Sequence, residues 1–209
     1  MSADPLTILF GSQARVKLLR FFLFNPSKEF TFEDISKRAR LVRRTARTEI
    51  TALEKAGIIK KKQIYVPKEE GSESKVRVSG YALNKNSPEI QPLQTFMFET
   101  APINGKTVLS HLRKAGTLDF VCVAGIFVKD FEQRLDVMVA MKKLPATKVE
   151  NAIRSLESEL GIEIRFAAFD SDDLIYRVGM YDKLIRDVFD YPHEILVDRI
   201  AIKDELRRP

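Results

Sequence analysis

The spacing of apolar residues changes at Gly57, and this change constrains the fold more than any other feature of the sequence. Before Gly57, three consecutive segments carry apolar residues at helical spacing. After it come two short runs of β-type residues, 58–66 and 76–83, on either side of a polar segment at 67–74. This order predicts three helices followed by a β-hairpin.

Residues that start or end helices delimit the three helical segments. Ser12 is a suitable N-cap for the first helix, and Thr31, with Asp34 three residues later, forms a partial capping box for the second. The third segment, 43–56, ends at Gly57, where a left-handed backbone conformation is expected. Periodicity and caps therefore agree on the same three helices.

Positive charge is concentrated in the first part of the chain. Residues 1–87 contain 18 Lys and Arg against 9 Asp and Glu, a net charge of +9. Residues 88–209 contain 17 against 20, a net charge of −3. An asymmetry of this kind suggests that one part binds a polyanion. Nucleic acid is the first candidate.

The third helix and the hairpin carry the candidate binding residues. Between Lys37 and Lys62 the sequence has ten basic residues against two acidic ones, Glu49 and Glu54. In the third helix, four residues lie away from the apolar positions and can reach base edges or phosphates: Arg43, Arg44, Arg47 and Thr48. On the hairpin, five residues are better suited to phosphates: Lys60, Lys61, Lys62, Lys75 and Arg77. The alternative interpretation is an ordinary solvated helix face.

The string FEDISKRARLVRRTARTEITALEKAGIIKKK, which begins at Phe32, resembles the DNA-binding domain of ArsR- and MarR-type transcriptional regulators. The resemblance covers about residues 9–85. It implies a winged helix-turn-helix whose third helix enters the major groove and whose hairpin lies along the backbone or the minor groove. Double-stranded DNA is therefore the expected partner. Winged helices also serve as protein-interaction or RNA-binding modules, and this alternative stays open.

A segment with two prolines, Pro88 and Pro92, connects the two parts of the chain. Four apolar residues in it have helical spacing: Ile90, Leu93, Phe96 and Met97. We place the connection at 88–104, after a first domain at 1–87 and before a second at 105–209. The connecting helix either packs on its own domain or pairs two subunits of a homodimer.

Strand and helix patterns alternate in the second domain. They predict a helix at 106–114, strands at 118–124 and 135–141, a helix at 146–160, a strand at 163–168 and helical segments after Ser171. The expected fold class is α+β, with a winged helix-turn-helix followed by an α/β domain.

The segment that begins LDFVCVAGIFVKDFEQRLDVMVAMKK resembles the nucleotidyltransferase fold of the DNA polymerase beta superfamily. The resemblance implies a Gly-Ser turn, an Asp-x-Asp pair and a third carboxylate, because two divalent metal ions need oxygen ligands. This chain instead has Gly125-Ile126, Arg134-Leu135-Asp136 and Arg165. Arginine at two ligand positions opposes cation binding. We therefore expect an inactive copy without a metal site, in which Arg134 and Arg165 could hold an anionic ligand.

Other polar groups give weaker signals. Two acidic groups stand out: Asp130, Glu132 and Asp136, and then Asp170, Asp172 and Asp173. The first group could rebuild a carboxylate site, whereas the second is expected at a helix start with Asp170 or Ser171 as the cap. His111 and His193 are isolated and are expected in packing or surface roles. Cys122 has no Cys or His partner at metal spacing and is expected to be a buried thiol.

These patterns predict a transcriptional regulator and not an enzyme, with the second domain used for dimerisation or sensing. The alternatives are a metal-dependent nucleotidyltransferase and an RNA- or protein-binding module. No cofactor is expected, and no pattern identifies a small-molecule effector. No run approaches the roughly 20 apolar residues of a membrane-spanning helix, so we expect no membrane partner and a cytoplasmic location.

Overall fold

The computed structural model describes residues 4–68 and 74–206 and divides the chain into two units. One unit comprises Met1–Ala101 together with Glu157–Ile162, and the other comprises Pro102–Leu156 and Glu163–Pro209. Each unit combines helices with one β-sheet, so the α+β fold class is confirmed. In the described ranges, no helix is both long enough and apolar enough to cross a membrane.

The first unit contains the three predicted helices and the predicted hairpin. Its elements are helices α1 at Pro5–Phe10 and α2 at Gln13–Leu23, strand β1 at Glu29–Thr31, helices α3 at Phe32–Arg38 and α4 at Arg43–Lys55, strands β2 at Ile59–Pro67 and β3 at Lys75–Leu83, and helix α5 at Ile90–Glu99. The predicted helices correspond to α2, α3 and α4, and the hairpin corresponds to β2 and β3. The sequence did not predict the short elements α1 and β1.

The caps that the sequence predicts are formed. Ser12 Oγ accepts a hydrogen bond from the Arg15 amide at 3.2 Å and caps α2. At the start of α3, Thr31 Oγ1 accepts from the Asp34 amide at 3.1 Å, and the Asp34 carboxylate accepts from the Thr31 amide at 3.0 Å. The capping box is therefore complete. Gly57 follows α4 with a φ of +72°, the left-handed conformation expected there.

Strand β3 lies in the middle of an antiparallel sheet of order β1-β3-β2. Strands β2 and β3 pair continuously, from Ile59 opposite Leu83 to Pro67 opposite Lys75. Gly80 is required in β3 because a Cβ atom there would lie 2.8 Å from the Phe30 carbonyl oxygen and would meet the Ile64 side chain. Of the polar segment predicted at 67–74, residues 69–73 lie outside the described residues.

One hydrophobic core holds the first unit together, and α5 contributes to it. Ile90 and Met97 of α5 are buried in the same cluster as Phe22 of α2. Helix α5 therefore packs on its own unit, which is one of the two alternatives that the sequence left open. Phe96 and Phe98 on this helix remain 39% and 40% exposed, and its use in pairing two subunits stays a prediction.

The second unit alternates strands and helices. Its elements are helix α6 at Gly105–Leu112, strand β4 at Phe120–Val123, a 3-10 helix at Gly125–Val128, strand β5 at Val137–Met141, helix α7 at Ala146–Leu160, strand β6 at Phe166–Asp170, helices α8 at Ser171–Gly179 and α9 at Lys183–Phe189, strand β7 at Glu194–Asp198 and helix α10 at Ile202–Glu205. From Glu157 onward, α7 counts with the first unit.

The sheet of the second unit has the order β6-β5-β4-β7. Strand β4 is antiparallel to β5 and β7, whereas β5 and β6 are parallel and are connected through α7. Every residue of β4 and β5 is buried, in agreement with their continuous apolar sequences. The prediction for β6 was wrong at its start, which lies at Phe166 instead of 163, and β7 was not predicted.

Candidate nucleic-acid interface

The outer face of α4 is a basic surface open to solvent. An open groove of about 740 Å³ is lined, among the described residues, by this helix alone: Arg43, Arg44, Arg47, Thr48, Thr51, Ala52 and Lys55. The four binding residues predicted on the third helix therefore lie together. Within the described residues, no second element forms an opposite wall, so the groove is open along the outer side of this helix.

The opposite face of α4 is buried, and it includes Glu49, whose carboxylate is therefore not on the outer face. Ala46, Ile50 and Leu53 pack into the unit, as their spacing predicts. Glu49 is also buried, and its Oε2 accepts a hydrogen bond from Arg15 Nε at 2.8 Å. This inward ion pair leaves the positive charge of the outer face without compensation from Glu49.

Two arginines of α4 are held over one aromatic ring. The guanidinium carbons of Arg43 and Arg47 lie 5.3 and 5.5 Å from the centre of the Phe32 ring, which belongs to the first turn of α3. Arg43 Nη2 also donates to Glu33 Oε1 at 2.9 Å. Cation–π contacts at exposed sites contribute about 0.5–1 kcal/mol each, which is enough to favour one orientation of a long side chain. The edge of α4 next to α3 is thus partly preorganised.

The N-terminus of α4 has no side-chain cap. Val42 occupies the N-cap position, is 70% exposed and has no side-chain acceptor. The first backbone N–H groups of the helix therefore lack a capping side chain at the positive end of the helix dipole, where Arg43 and Arg44 add two cations. An anion such as a phosphate group would satisfy these N–H groups and offset the repulsion between the cations.

The five basic residues predicted on the hairpin are all exposed, but they do not share one face of the sheet. Side chains alternate along a strand, and the register of β2 and β3 sets which ones lie together. Lys61, Lys75 and Arg77 share the face that includes the core residue Ile59, whereas Lys60 and Lys62 lie on the opposite face. There, Lys62 is paired with Glu29 of β1. The three consecutive lysines 60–62 are therefore divided between the two faces of the sheet.

In the second unit, the buried carboxylate of Asp136 and the partly exposed side chain of Arg165 form a hydrogen-bonded network. Asp136 directly precedes β5, and Arg165 directly precedes the parallel strand β6, so the pairing of Val137 with Phe166 brings them side by side. Asp136 Oδ1 accepts from Ile126 N at 3.0 Å and from Arg165 Nη2 at 2.8 Å. Oδ2 accepts from Arg165 N and Nε, both at 2.9 Å. Asp136 is fully buried, and all of its roughly four acceptor positions are occupied.

The same network fixes the Arg165 side chain. Its Nη1 donates to the Gln133 carbonyl oxygen, and its other two guanidinium nitrogens are bound to Asp136. The hydrogen bond to Asp136 raises the pKa of Arg165 above its already high usual value. This guanidinium is therefore neutralised by an internal carboxylate, although 43% of the side chain remains exposed.

Gly125 allows the turn after β4 to close on Asp136. Its φ is +51°, and a Cβ atom there would lie 2.9 Å from the Leu135 carbonyl oxygen and would collide with Asp136 Oδ1. The absence of a side chain lets the next amide, Ile126 N, reach the carboxylate. The nucleotidyltransferase resemblance implies a Gly-Ser turn at this position. In this chain, Gly125 lets the turn pack directly on the Asp136 carboxylate.

The other polar residues singled out in the sequence around this network are separated from Asp136. Asp130 and Glu132 line a surface cavity of about 300 Å³ with Gln133, Arg134, Asp187 and Tyr191, and Asp136 is not among its lining residues. Arg134 Nη1 lies 3.3 Å from Asp187 Oδ2, so Arg134 and Arg165 have different carboxylate partners. Within 4–68 and 74–206, no three His, Cys, Asp or Glu side chains are grouped to hold a metal ion.

The remaining candidate residues have structural contacts. The predicted helix start is confirmed, since α8 begins at Ser171 with Asp170 at the N-cap position, but Asp170 makes no side-chain capping hydrogen bond. Its carboxylate instead accepts from the Leu144 amide at 2.9 Å. His111 is buried, with Nδ1 3.1 Å from the Thr107 carbonyl oxygen, and His193 Nδ1 lies 2.8 Å from the Tyr191 carbonyl oxygen. Cys122 is buried, as predicted, and its burial raises the pKa of the thiol to about 12.

Sequence reasoning missed three residues that contact the predicted binding residues: Phe32, Glu33 and Glu29. Glu33 is 10 positions from Arg43 and Glu29 is 33 positions from Lys62, so no local pattern joins the partners. The only local signal is the string Phe32-Glu33-Asp34, in which an aromatic residue opens a short helix next to two acidic residues.

Comparison with protein-family models, with curated proteins and with solved structures finds no match to this chain.

Proposed function

We propose that this protein is a sequence-specific DNA-binding transcriptional regulator and that its first unit acts as a winged helix-turn-helix. The observation that carries the proposal is the outer face of α4, where Arg43, Arg44, Arg47 and Lys55 surround a groove open to solvent. These cations are concentrated at a helix whose N-terminus has no side-chain cap. A polyanion is the partner that this surface fits.

The dimensions of α4 favour duplex DNA as the polyanion. A helix with its side chains is about 10–12 Å across, and the major groove of B-DNA is about 12 Å wide. The hairpin that follows α4 offers Lys61, Lys75 and Arg77 on one face for contacts to the backbone. The order of α2, α3, α4 and the hairpin supports the winged-helix interpretation because it is the order of elements in that motif.

Replacing Arg44 and Arg47 jointly by alanine is expected to weaken binding to duplex DNA by at least about tenfold and to lower the salt slope of log affinity by about 1 to 2. The reason is that the change removes two cations from the outer face of α4 and that each cation that neutralises a phosphate contributes about 0.9 to the slope. Fluorescence anisotropy with a mixed duplex pool at two salt concentrations measures both quantities, with single-stranded RNA titrated in parallel.

A matched control removes the same charge elsewhere. Lys142 and Lys143 are exposed residues of the second unit, and their joint replacement by alanine should leave affinity and salt slope nearly unchanged. Failure of the wild-type protein to bind duplex DNA would contradict the proposal. Tighter binding to RNA than to duplex would favour the RNA-binding alternative instead.

The second unit is proposed to act without catalysis, as a dimerisation or sensing domain. Two-metal chemistry requires carboxylate oxygens that are free to coordinate cations. The oxygens of Asp136 already accept four hydrogen bonds, three of them from Arg165. A divalent cation at this carboxylate would have to displace a guanidinium group, and Arg165 would then be left beside the cation. This arrangement supports a structural role for the carboxylate.

Incubation of the full chain with labelled nucleoside triphosphates and Mg²⁺, with DNA, RNA or protein as acceptor, is expected to give no transfer of label. The physical reason is that the carboxylate oxygens of Asp136 already accept four hydrogen bonds and are not free to coordinate Mg²⁺. Transfer that disappears in Asp136→Asn but persists in Asp130→Asn would contradict the proposal, because it would assign catalysis to the buried carboxylate. Asp130 is the matched control since it is a carboxylate close in sequence that is only half-buried, whereas Asp136 is fully buried.

A further inference from the structure

The exposed residues of α4 differ in how their side chains are held, and we infer that this difference divides DNA recognition between them. Arg43 and Arg47 bind backbone phosphates, whereas Arg44 and Thr48 read base edges and determine the preferred sequence. This inference rests on the proposed function, since it assigns separate tasks to residues of the same surface.

The buried residues of α4 define which side chains point outward. Successive residues are about 100° apart around a helix axis. Opposite the face formed by Ala46, Glu49, Ile50 and Leu53 lies an outer stripe: Arg44, Thr48, Thr51 and Lys55. Arg43 lies about 110° and Arg47 about 70° from the centre of this stripe, on the edge next to α3. A helix inserted into the major groove therefore points the outer stripe at the base pairs and its edges at the phosphate walls.

The contacts of Arg43 and Arg47 are suited to binding backbone phosphates. The Phe32 ring holds both guanidinium groups beside the helix, and Glu33 additionally binds Arg43. A side chain held at the helix edge cannot extend to the floor of the groove without losing these contacts. Phosphate oxygens lie along the groove wall and accept hydrogen bonds from guanidinium groups at any sequence, so the two residues provide affinity and orientation.

The contacts of Arg44 and Thr48 fit the reading of bases. Within the described ranges, neither an ion pair nor a ring contact holds the Arg44 guanidinium, which is free to extend from the outer stripe. Its fork of donors matches the O6 and N7 acceptors of guanine. Thr48, one turn later, donates its hydroxyl to the Arg44 carbonyl at 3.1 Å, which leaves its oxygen lone pairs to accept from a base amino group.

The test first selects the preferred duplex from a random pool with the full chain and then compares its affinity with that of a scrambled duplex of equal composition. Arg44→Lys keeps the charge but loses the bidentate geometry. It should reduce the preference for the selected duplex by about fivefold to 150-fold and leave the salt slope unchanged. Arg43→Gln with Arg47→Gln should weaken binding to both duplexes alike and lower the salt slope by about 2.

The possible results separate this inference from the proposed function. If the wild-type protein binds no duplex, the proposed function itself is wrong. If it binds and selects a sequence, but Arg44→Lys keeps the full preference, the division of tasks is overturned while the proposed function stands. A loss of preference in Arg43→Gln with Arg47→Gln, equal to that in Arg44→Lys, would overturn it as well. Lys142→Gln, which removes an exposed charge of the second unit, is the control for non-specific charge effects.

Discussion

Replacement of Gly125 by alanine is expected to destabilise the second unit by about 2 to 5 kcal/mol. A left-handed conformation costs a residue with a Cβ atom about 1–2 kcal/mol, and crowding of a packed interior adds about 1–3 kcal/mol. Here the new methyl group would meet the Leu135 carbonyl oxygen, which belongs to the backbone, and the Asp136 carboxylate, which is buried and held by hydrogen bonds. Neither group can move aside easily. Denaturant titration followed by circular dichroism measures the loss.

Gly179→Ala is the matched control for Gly125→Ala. Gly179 ends α8 in the same unit, is exposed, and a Cβ atom there would meet no heavy atom within 4 Å. This variant should equal the wild-type protein or exceed its stability by about 0.5–1 kcal/mol, because alanine favours helix more than glycine does. Equal stability of Gly125→Ala and Gly179→Ala would contradict the described closure of the turn on Asp136.

Replacing Arg165 by methionine should destabilise the second unit by about 2 to 4 kcal/mol. Breaking a buried ion pair costs about 3–5 kcal/mol because it leaves an uncompensated buried charge. The expected value is lower because Arg165 is 43% exposed and water can partly replace it. Asp136 would keep its bonds from Ile126 N and from the backbone amide of residue 165, and would lose the two from the guanidinium. Denaturant titration again provides the measurement.

Two variants show whether the effect comes from the buried charge. Arg134→Met removes the same charge from an exposed side chain paired with the half-buried Asp187 and should change stability by less than about 1 kcal/mol. Adding Asp136→Asn to Arg165→Met removes the buried charge and should recover part of the loss, a coupling that a double-mutant cycle measures. Additive losses in the cycle would show that the two side chains do not interact as described.

The elements that could be predicted from the sequence are those with several turns of periodicity or a definite cap. Helix α7 was predicted at its observed bounds, and α2, α3 and α4 were predicted within about one residue because Ser12, Thr31 and Gly57 mark their ends. Helix α1 has six residues and β1 has three, too few for a period to appear. Strand β6 starts late because the Arg165 backbone is bonded to Asp136, and no local pattern reveals that contact.

The candidate site was predictable as a set of residues but not as an arrangement. The exposed basic positions of α4 follow from helical spacing alone, since Ala46, Ile50 and Leu53 identify the buried face. The ring of Phe32 over which Arg43 and Arg47 lie depends on how α3 packs against α4, which is a tertiary contact. The division of the lysine run between two faces depends on the register of β2 and β3. Both features required the three-dimensional structure.

The position of β2 in its sheet affects the interpretation of any experiment on its lysines. Because the strand order is β1-β3-β2, one side of the nine-residue β2 has no neighbouring strand within the described residues and presents its backbone N–H and C=O groups there. Such an edge can pair with another chain, and exposed lysines oppose that association. Substituting Lys60, Lys61 and Lys62 together by neutral residues would therefore promote aggregation as well as remove charge. Single substitutions, made with a check of particle size, keep a loss of nucleic-acid affinity distinct from self-association through the sheet edge.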